Sequence, residues 1–281
     1  MPLERVKVGD KIMIYFFKKW DKLKNKLKKK FLFIFLDFDG TLAPITKTPV
    51  KADLPEETRK MLKALSKQSS CKIAVISGRA LEDIKNKFTG LSNIIYSGNH
   101  GLEIEGPKIK FSPVLSSQYK SALKTIKDAL QNKLLSIPGI LLEDKGFSLS
   151  LHYRLVDDKQ VALVKTIFHE TVIKYVGGGR VKVKAGKKVL EVRPALEWDK
   201  GKVVLWLLAR QKFAKDGSKI LPIYIGDDLT DEDAFRALRR IGIAVFVGRP
   251  IKSSHAQYYL KDTSEVTKLL KHILEIHNEN R

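Results

Sequence analysis

The chain has 281 residues, 43% of them hydrophobic and 9% aromatic, which suffices for one large domain or a core with a smaller appended domain. Its single cysteine, Cys71, excludes an internal disulfide and a cysteine-based zinc site, and no apolar run is long enough to cross a bilayer. With 53 basic against 31 acidic residues the formal charge is +22, a field that attracts phosphorylated ligands.

The lysines are concentrated near the start. Residues 11–30 interleave a lysine run with Phe16, Trp20, Leu23 and Leu27 at helical spacing and read as a basic amphipathic helix within a basic segment, residues 1–30. Its apolar stripe is expected to pack on the core with the lysines in solvent. The alternative is peripheral contact with an anionic membrane. No continuous apolar leader of the signal-peptide kind is present, so a cytoplasmic location is expected.

Residues 31–37, apolar up to Leu36, read as a strand buried on both faces, as in a parallel sheet covered by helices on each side. It ends in Asp37-Phe38-Asp39-Gly40-Thr41, two acids spaced i, i+2 followed by a glycine and a hydroxyl. A loop with Pro44 and Pro49 precedes a helix starting near Pro55. A strand over 71–76 ends in Ser77-Gly78-Arg79, a helix spans about 80–88, and a strand over 93–96 leads to Asn99-His100-Gly101. This alternation predicts a doubly wound, mainly parallel, Rossmann-like α/β core.

From about residue 107 the pattern changes. Helices over 116–134 and 157–174 and strands over 147–154, 180–184 and 188–193 predict an α+β insertion with a half-exposed antiparallel sheet. Gly177-Gly178-Gly179 lies between a helix and a strand, the wrong order for a phosphate loop, and reads as a turn. The α/β pattern resumes with a helix over 200–214, a strand over 221–225 ending in Gly226-Asp227-Asp228, a helix near 231–240, a strand over 243–247 and a closing helix over 264–277. The expected domains are residues 31–106 with 195–281 as the core, and 107–194 as the insertion.

Open α/β sheets place their chemistry at the carboxyl ends of the strands. Asp37/Asp39, Ser77, Lys200 and Asp227/Asp228/Asp231 all fall there or at a helix start. Each alone is explained by turns, caps or a surface lysine. Together they supply a nucleophile, a second acid, a hydroxyl, a cation and carboxylates for a hard cation such as Mg²⁺.

Asp37-Phe38-Asp39-Gly40-Thr41, Ser77-Gly78-Arg79, Lys200-Gly201 and Gly226-Asp227-Asp228 resemble, in order, the four motifs of the haloacid dehalogenase superfamily. The insertion between the second and third resembles its C2-type cap. The stretches 37–45, 99–103, 143–145, 151–154, 186–194 and 226–232 resemble the trehalose-6-phosphate phosphatase family within it. The resemblance spans about residues 31–250 and leaves out the lysine-rich start.

It implies hydrolysis of trehalose 6-phosphate through an aspartyl phosphate, with Asp37 as nucleophile, Asp39 as general acid and base, and Lys200 offsetting charge. Thr41, Ser77, Gly78 and Lys200 would bind the phosphoryl group. Mg²⁺ would be held by Asp37, the Asp39 carbonyl and Asp227, with Asp228 and Asp231 orienting its waters. Asn99, His100, Glu143, Lys145, Arg154, Gly186 and Glu191 are the implied sugar-binding positions, and a trehalose-phosphate synthase is an implied partner. The alternatives are a phosphatase for sucrose, mannosylglycerate or glucosylglycerol phosphates, or a non-catalytic basic binding module. No specific nucleic-acid partner is expected, since no aromatic stacking platform accompanies the charge.

Overall fold

The computed structural model describes residues 6–8, 11–28, 30–214, 220–251 and 253–279. They fall into two compact units, Met1–Phe111 with Trp198–Arg281, and Ser112–Glu197.

The first unit is built on one ten-stranded sheet. Its strands are β1 (Val6–Val8), β2 (Lys11–Tyr15), β3 (Phe31–Leu36), β4 (Cys71–Ile76), β5 (Ile94–Gly98), β6 (Glu103–Gly106), β7 (Ile109–Phe111), β12 (Ile220–Gly226), β13 (Ile243–Val247) and β14 (Tyr258–Leu260). They lie in the order β1-β2-β14-β13-β12-β3-β4-β5-β6-β7. The seven from β2 to β5 run parallel, and antiparallel pairs close both rims.

The central strands explain their own composition. In β3, Leu32, Ile34 and Leu36 point into one hydrophobic cluster while Phe33 and Phe35 point into another on the opposite face. Helices α1 (Trp20–Lys28), α2 (Glu56–Leu65), α3 (Leu81–Lys87) and α8 (Thr263–Asn278) cover the first face. Helices α6 (Lys200–Ala214) and α7 (Glu232–Leu238) cover the second. Each such side chain contributes about 1.5–3 kcal/mol by leaving water, and β3 accordingly holds no polar residue before its end.

Two expectations need correction here. The basic segment is not helical throughout, because Lys11–Tyr15 is a strand lying parallel to β14, and the helix begins only at Trp20. Residues 1–5, 9, 10 and 29 of that segment lie outside the described residues. Phe16, Leu23 and Leu27 are buried in the first cluster, so the stripe that would have faced a membrane faces the protein's own core. The insertion boundaries also shift. Residues 107–111 stay with the first unit because Ile109–Phe111 pairs with β6, and the second unit runs to Glu197.

The second unit has a four-stranded antiparallel sheet ordered β10 (Val181–Gly186), β11 (Val189–Pro194), β9 (Leu149–His152) and β8 (Leu141–Asp144). Leu149, Leu151, Leu190 and Val192 pack with helices α4 (Ser117–Leu134) and α5 (Asp158–Gly177) in one cluster. The glycine triplet is the end of α5 and the turn after it. Among the described residues no helix is long and apolar enough to cross a membrane.

Candidate active site

The carboxyl ends of β3, β4 and β12 converge on one edge of the first unit. The β3 exit is a tight turn in which the Phe38 carbonyl accepts from the amides of Thr41, Leu42 and Ala43 at 3.3, 3.0 and 2.9 Å. Gly40 has φ of +90°, and a Cβ there would stand 2.3 Å from an Asp227 oxygen. Only glycine serves at this position, for handedness and for the close approach of the second acid segment.

Lys200, the first residue of α6, is 2% exposed. Its Nζ donates to Asp37 Oδ1 at 2.7 Å and to Asp231 Oδ1 at 2.8 Å. The Tyr224 hydroxyl donates to the same Asp231 oxygen at 2.7 Å, while the other accepts the Asp227 and Asp228 amides at 2.9 and 3.0 Å. Asp231 is therefore saturated by four donors. Asp228 Oδ1 accepts from the Thr230 amide and hydroxyl, both at 2.7 Å.

Burial pushes the Asp37 carboxyl well up; Lys200 counters this, and Asp231, Asp227 and Asp228 add to it. Burial opposes the Lys200 charge, yet Asp231 and then Asp37 hold it well above the ordinary lysine range. Burial also raises Asp231, against the pull of Lys200. Asp228 moves down, because Lys200 and the Thr230 hydroxyl outweigh its burial. Oxygens of Asp37, Asp227 and Asp231 lie within 4.8 Å of one another, an arrangement that could hold a metal ion. With Asp231 saturated, Asp37 and Asp227 are the carboxylates left for a hard cation.

The hydroxyls predicted for phosphate are also at this edge. Thr41 Oγ1 is buried with no hydrogen-bond partner among the described residues, and Ser77 Oγ accepts the Arg79 amide at 3.1 Å. Asn99 and His100 both sit in the left-handed region, at φ of 49° and 56°. The Asn99 amide donates to the Arg79 carbonyl and the His100 amide to the Ser77 carbonyl, which locks this loop to the one after β4. A Cβ on Gly78 would collide with the His100 ring at 2.4 Å. Asp39 is apart from the acidic trio, paired with Arg79 through both its oxygens at 2.7 Å. Burial works against the Arg79 charge, but Asp39 and then Asp83 more than compensate.

In the second unit the pairing register sets Glu143, Ser150 and Glu191 side by side across β8, β9 and β11. Their face is opposite the one that packs on α4 and α5. Glu191 is 5% exposed. Its Oε1 accepts from Lys145, Ser148 and Ser150 at 3.3, 3.1 and 3.4 Å, and its Oε2 from Arg193 at 2.6 Å. Glu143 meets His152 at 2.9 Å. Glu143, Lys145 and Glu191 thus form one cluster. Arg154 instead donates to the Lys187 carbonyl at 2.9 Å, and Gly186 ends β10.

Sequence reasoning gave no role to Tyr224, Arg79, Ser148, Ser150 or Arg193. Tyr224 carries a hydroxyl inside an otherwise apolar strand, and Ser148, Ser150 and Arg193 share strand parity with their neighbours in the cluster. Those were the available signals.

The two-faced parallel core and the α+β unit have the fold of a solved structure described as a haloacid dehalogenase-like hydrolase. That structure, from Bacteroides thetaiotaomicron, matches with a TM-score of 0.60 at 18% identity, covering 87% of this chain and all of that one. The chain belongs to the trehalose-phosphatase family, whose model matches residues 35–264. It is 34% identical over 269 residues to trehalose-phosphate phosphatase B of Arabidopsis thaliana, covering 91% of this chain and 70% of that protein. It is similarly 35% identical to the probable trehalose-phosphate phosphatase 4 of Oryza sativa, covering 92% and 70%. The C-terminal domain of C. albicans trehalose-6-phosphate phosphatase matches with a TM-score of 0.79 at 25% identity, covering 91% of this chain and 96% of that one. The protein is accordingly a phosphoric monoester hydrolase.

Proposed function

We propose that the chain hydrolyses trehalose 6-phosphate in a Mg²⁺-dependent reaction that passes through a phosphorylated Asp37. The observation that carries this reading is the buried Lys200 ammonium, bonded at once to Asp37 and Asp231 beside Asp227. A cation and crowded acids at a strand edge suit phosphoryl transfer, where the protein's task is positioning and neutralising charge.

The donor set fits a hard divalent ion: Asp37 and Asp227 offer carboxylate oxygens, the Asp39 backbone carbonyl supplements them, and Asp228 and Asp231 support from behind. Bound there, Mg²⁺ would offset the acids and draw charge from the phosphoryl oxygens. Thr41, Ser77, the Gly78 amide and Lys200 hold the non-bridging oxygens. An Asp37 oxygen forms a bond to phosphorus while the bond from phosphorus to the sugar oxygen breaks. A sugar alkoxide leaves poorly, so Asp39 delivers a proton to that oxygen as it departs. Asp39 then takes a proton from water, whose oxygen bonds to phosphorus as the Asp37–phosphorus bond breaks. Inorganic phosphate leaves and both carboxyls return to their starting state.

The Glu143, Lys145 and Glu191 cluster supplies donors and acceptors suited to the hydroxyls of a neutral disaccharide, with Asn99, His100, Arg154 and Gly186 as further sugar-binding positions. A sibling phosphatase for sucrose, mannosylglycerate or glucosylglycerol phosphates is the second reading, since the core residues treat all these esters alike. Phosphate release is measured across that panel with Mg²⁺, with EDTA, and after Mg²⁺ is restored. The expected result is the highest kcat/KM for trehalose 6-phosphate, lost in EDTA and recovered with metal. A large preference for another ester overturns the substrate, and full turnover in EDTA overturns the metal.

A further inference from the structure

Arg79 leaves the carboxyl end of β4, the strand beside β3, with a side chain only 6% exposed. Nε donates to Asp39 Oδ2 and Nη2 to Asp39 Oδ1, both at 2.7 Å, a two-pronged grip on one carboxylate. Nη2 also donates to the Pro49 carbonyl and Nη1 to Asp83 Oδ2, again at 2.7 Å. The guanidinium stands 5.1 Å from the centre of the Phe38 ring. The arginine is thus anchored to a surface loop, to α3 and to an aromatic face, whatever Asp39 does.

The grip is asymmetric. The Asp39 side chain is 42% exposed, and its hydrogen bonds here run to the arginine it faces. If the two separate, the arginine stays and the carboxylate moves. A carboxylate held through both oxygens keeps a lone pair on each for a leaving-group oxygen or a water, and the fork fixes where those lone pairs point.

We propose that Arg79 is a positioning residue that acts through Asp39: the fork fixes the orientation from which the Asp39 side chain meets the leaving-group oxygen and then the water. This deepens the function proposed above and rests on the acid–base reading of Asp39. The lysine variant keeps the charge but gives up the fork, so it separates orientation from simple electrostatics.

The test is a double-mutant cycle in the full chain: Arg79→Lys, Asp39→Asn and both together, assayed on trehalose 6-phosphate and on p-nitrophenyl phosphate, with thermal melts as the folding control. Arg79→Lys should lower kcat on the sugar ester about 10- to 100-fold with little change in KM. The first-turnover burst of nitrophenolate, which departs without a proton, should stay within about threefold. In the Asp39→Asn background the same change should cost nothing more, because the group it acts through is gone. Asp83→Ala, which loosens the arginine from α3 while sparing the fork, is the second variant. It should lower the same kcat by a smaller factor and likewise vanish in the Asp39→Asn background. Losses that multiply in the double variants, or that fall equally on both esters, overturn the proposal. Full sugar-ester turnover by Asp39→Asn alone overturns the acid–base reading as well, so the two failures are distinguishable.

Discussion

Asp231 in the first unit and Glu191 in the second are both buried carboxylates ringed by donors, yet their surroundings differ in charge. Around Asp231, a single lysine is set against Asp37, Asp227 and Asp228 as well. Around Glu191, Lys145 and Arg193 both donate to one carboxylate. A site with surplus acid favours an added cation and tolerates a phosphate only in its company. A site whose acid is already answered by cations suits neutral hydroxyls, which need fixed donors and acceptors rather than charge.

The sharpest way to break the contrast is at Asp37. Asp37→Asn should lower turnover on the order of 10⁴-fold or more, measured by phosphate release. Its melting temperature should hold or rise, since one like charge has gone; retained activity would remove Asp37 from its proposed role. Lys200→Met attacks the same balance from the other side. It strands Asp37 and Asp231 without their cation, and urea unfolding should show a loss of about 3–5 kcal/mol. Glu191→Gln should lower kcat/KM for trehalose 6-phosphate about 10- to 100-fold and leave p-nitrophenyl phosphate nearly untouched, because it disturbs charge-assisted hydrogen bonds to a sugar-reading group. Equal losses on both substrates would unseat that assignment.

An exposed carboxylate sets the baseline. Asp262 caps α8, accepting from the Ser264 hydroxyl and from the Ser264 and Glu265 amides, and these bonds, the hydroxyl first, lower its pKa. Asp262→Ala should cost about 1 kcal/mol at neutral pH. Because the folded-state pKa is the lower one, the Asp262 contribution is full above the unfolded value near 3.9 and fades as pH falls through the folded one. Chemical denaturation of both forms between neutral and acidic pH should therefore show the gap closing toward the acid end.

The gathering of Asp37, Ser77 and Asp227 at one sheet edge was legible because each sits in a short contiguous motif at a strand exit, where an apolar run stops. Asp37, Ser77 and Asp227 needed no long-range information. Strand β2 was misread because five residues of Lys11–Tyr15 adjoin a true helical stripe, and only pairing with β14, far along the chain, settles them as a strand. The same holds for β6, β7 and β14, three- and four-residue strands defined by neighbours rather than by pattern. Arg79 acquires its place from Asp39, forty positions earlier in the chain, which no local spacing encodes.

The docking of β2 against β14 bears on how the chain comes off the ribosome. Tyr15 hydrogen-bonds Glu265 across a separation of 250 positions, so the seat for β2 is synthesised long after the strand itself. Until then Phe16, Leu23 and Leu27 lack the part of their cluster that α8 supplies. Contacts this distant form late, and a greasy stretch that waits is exposed to misassociation. The lysines crowded around those three residues favour hydration of that stretch in the interval.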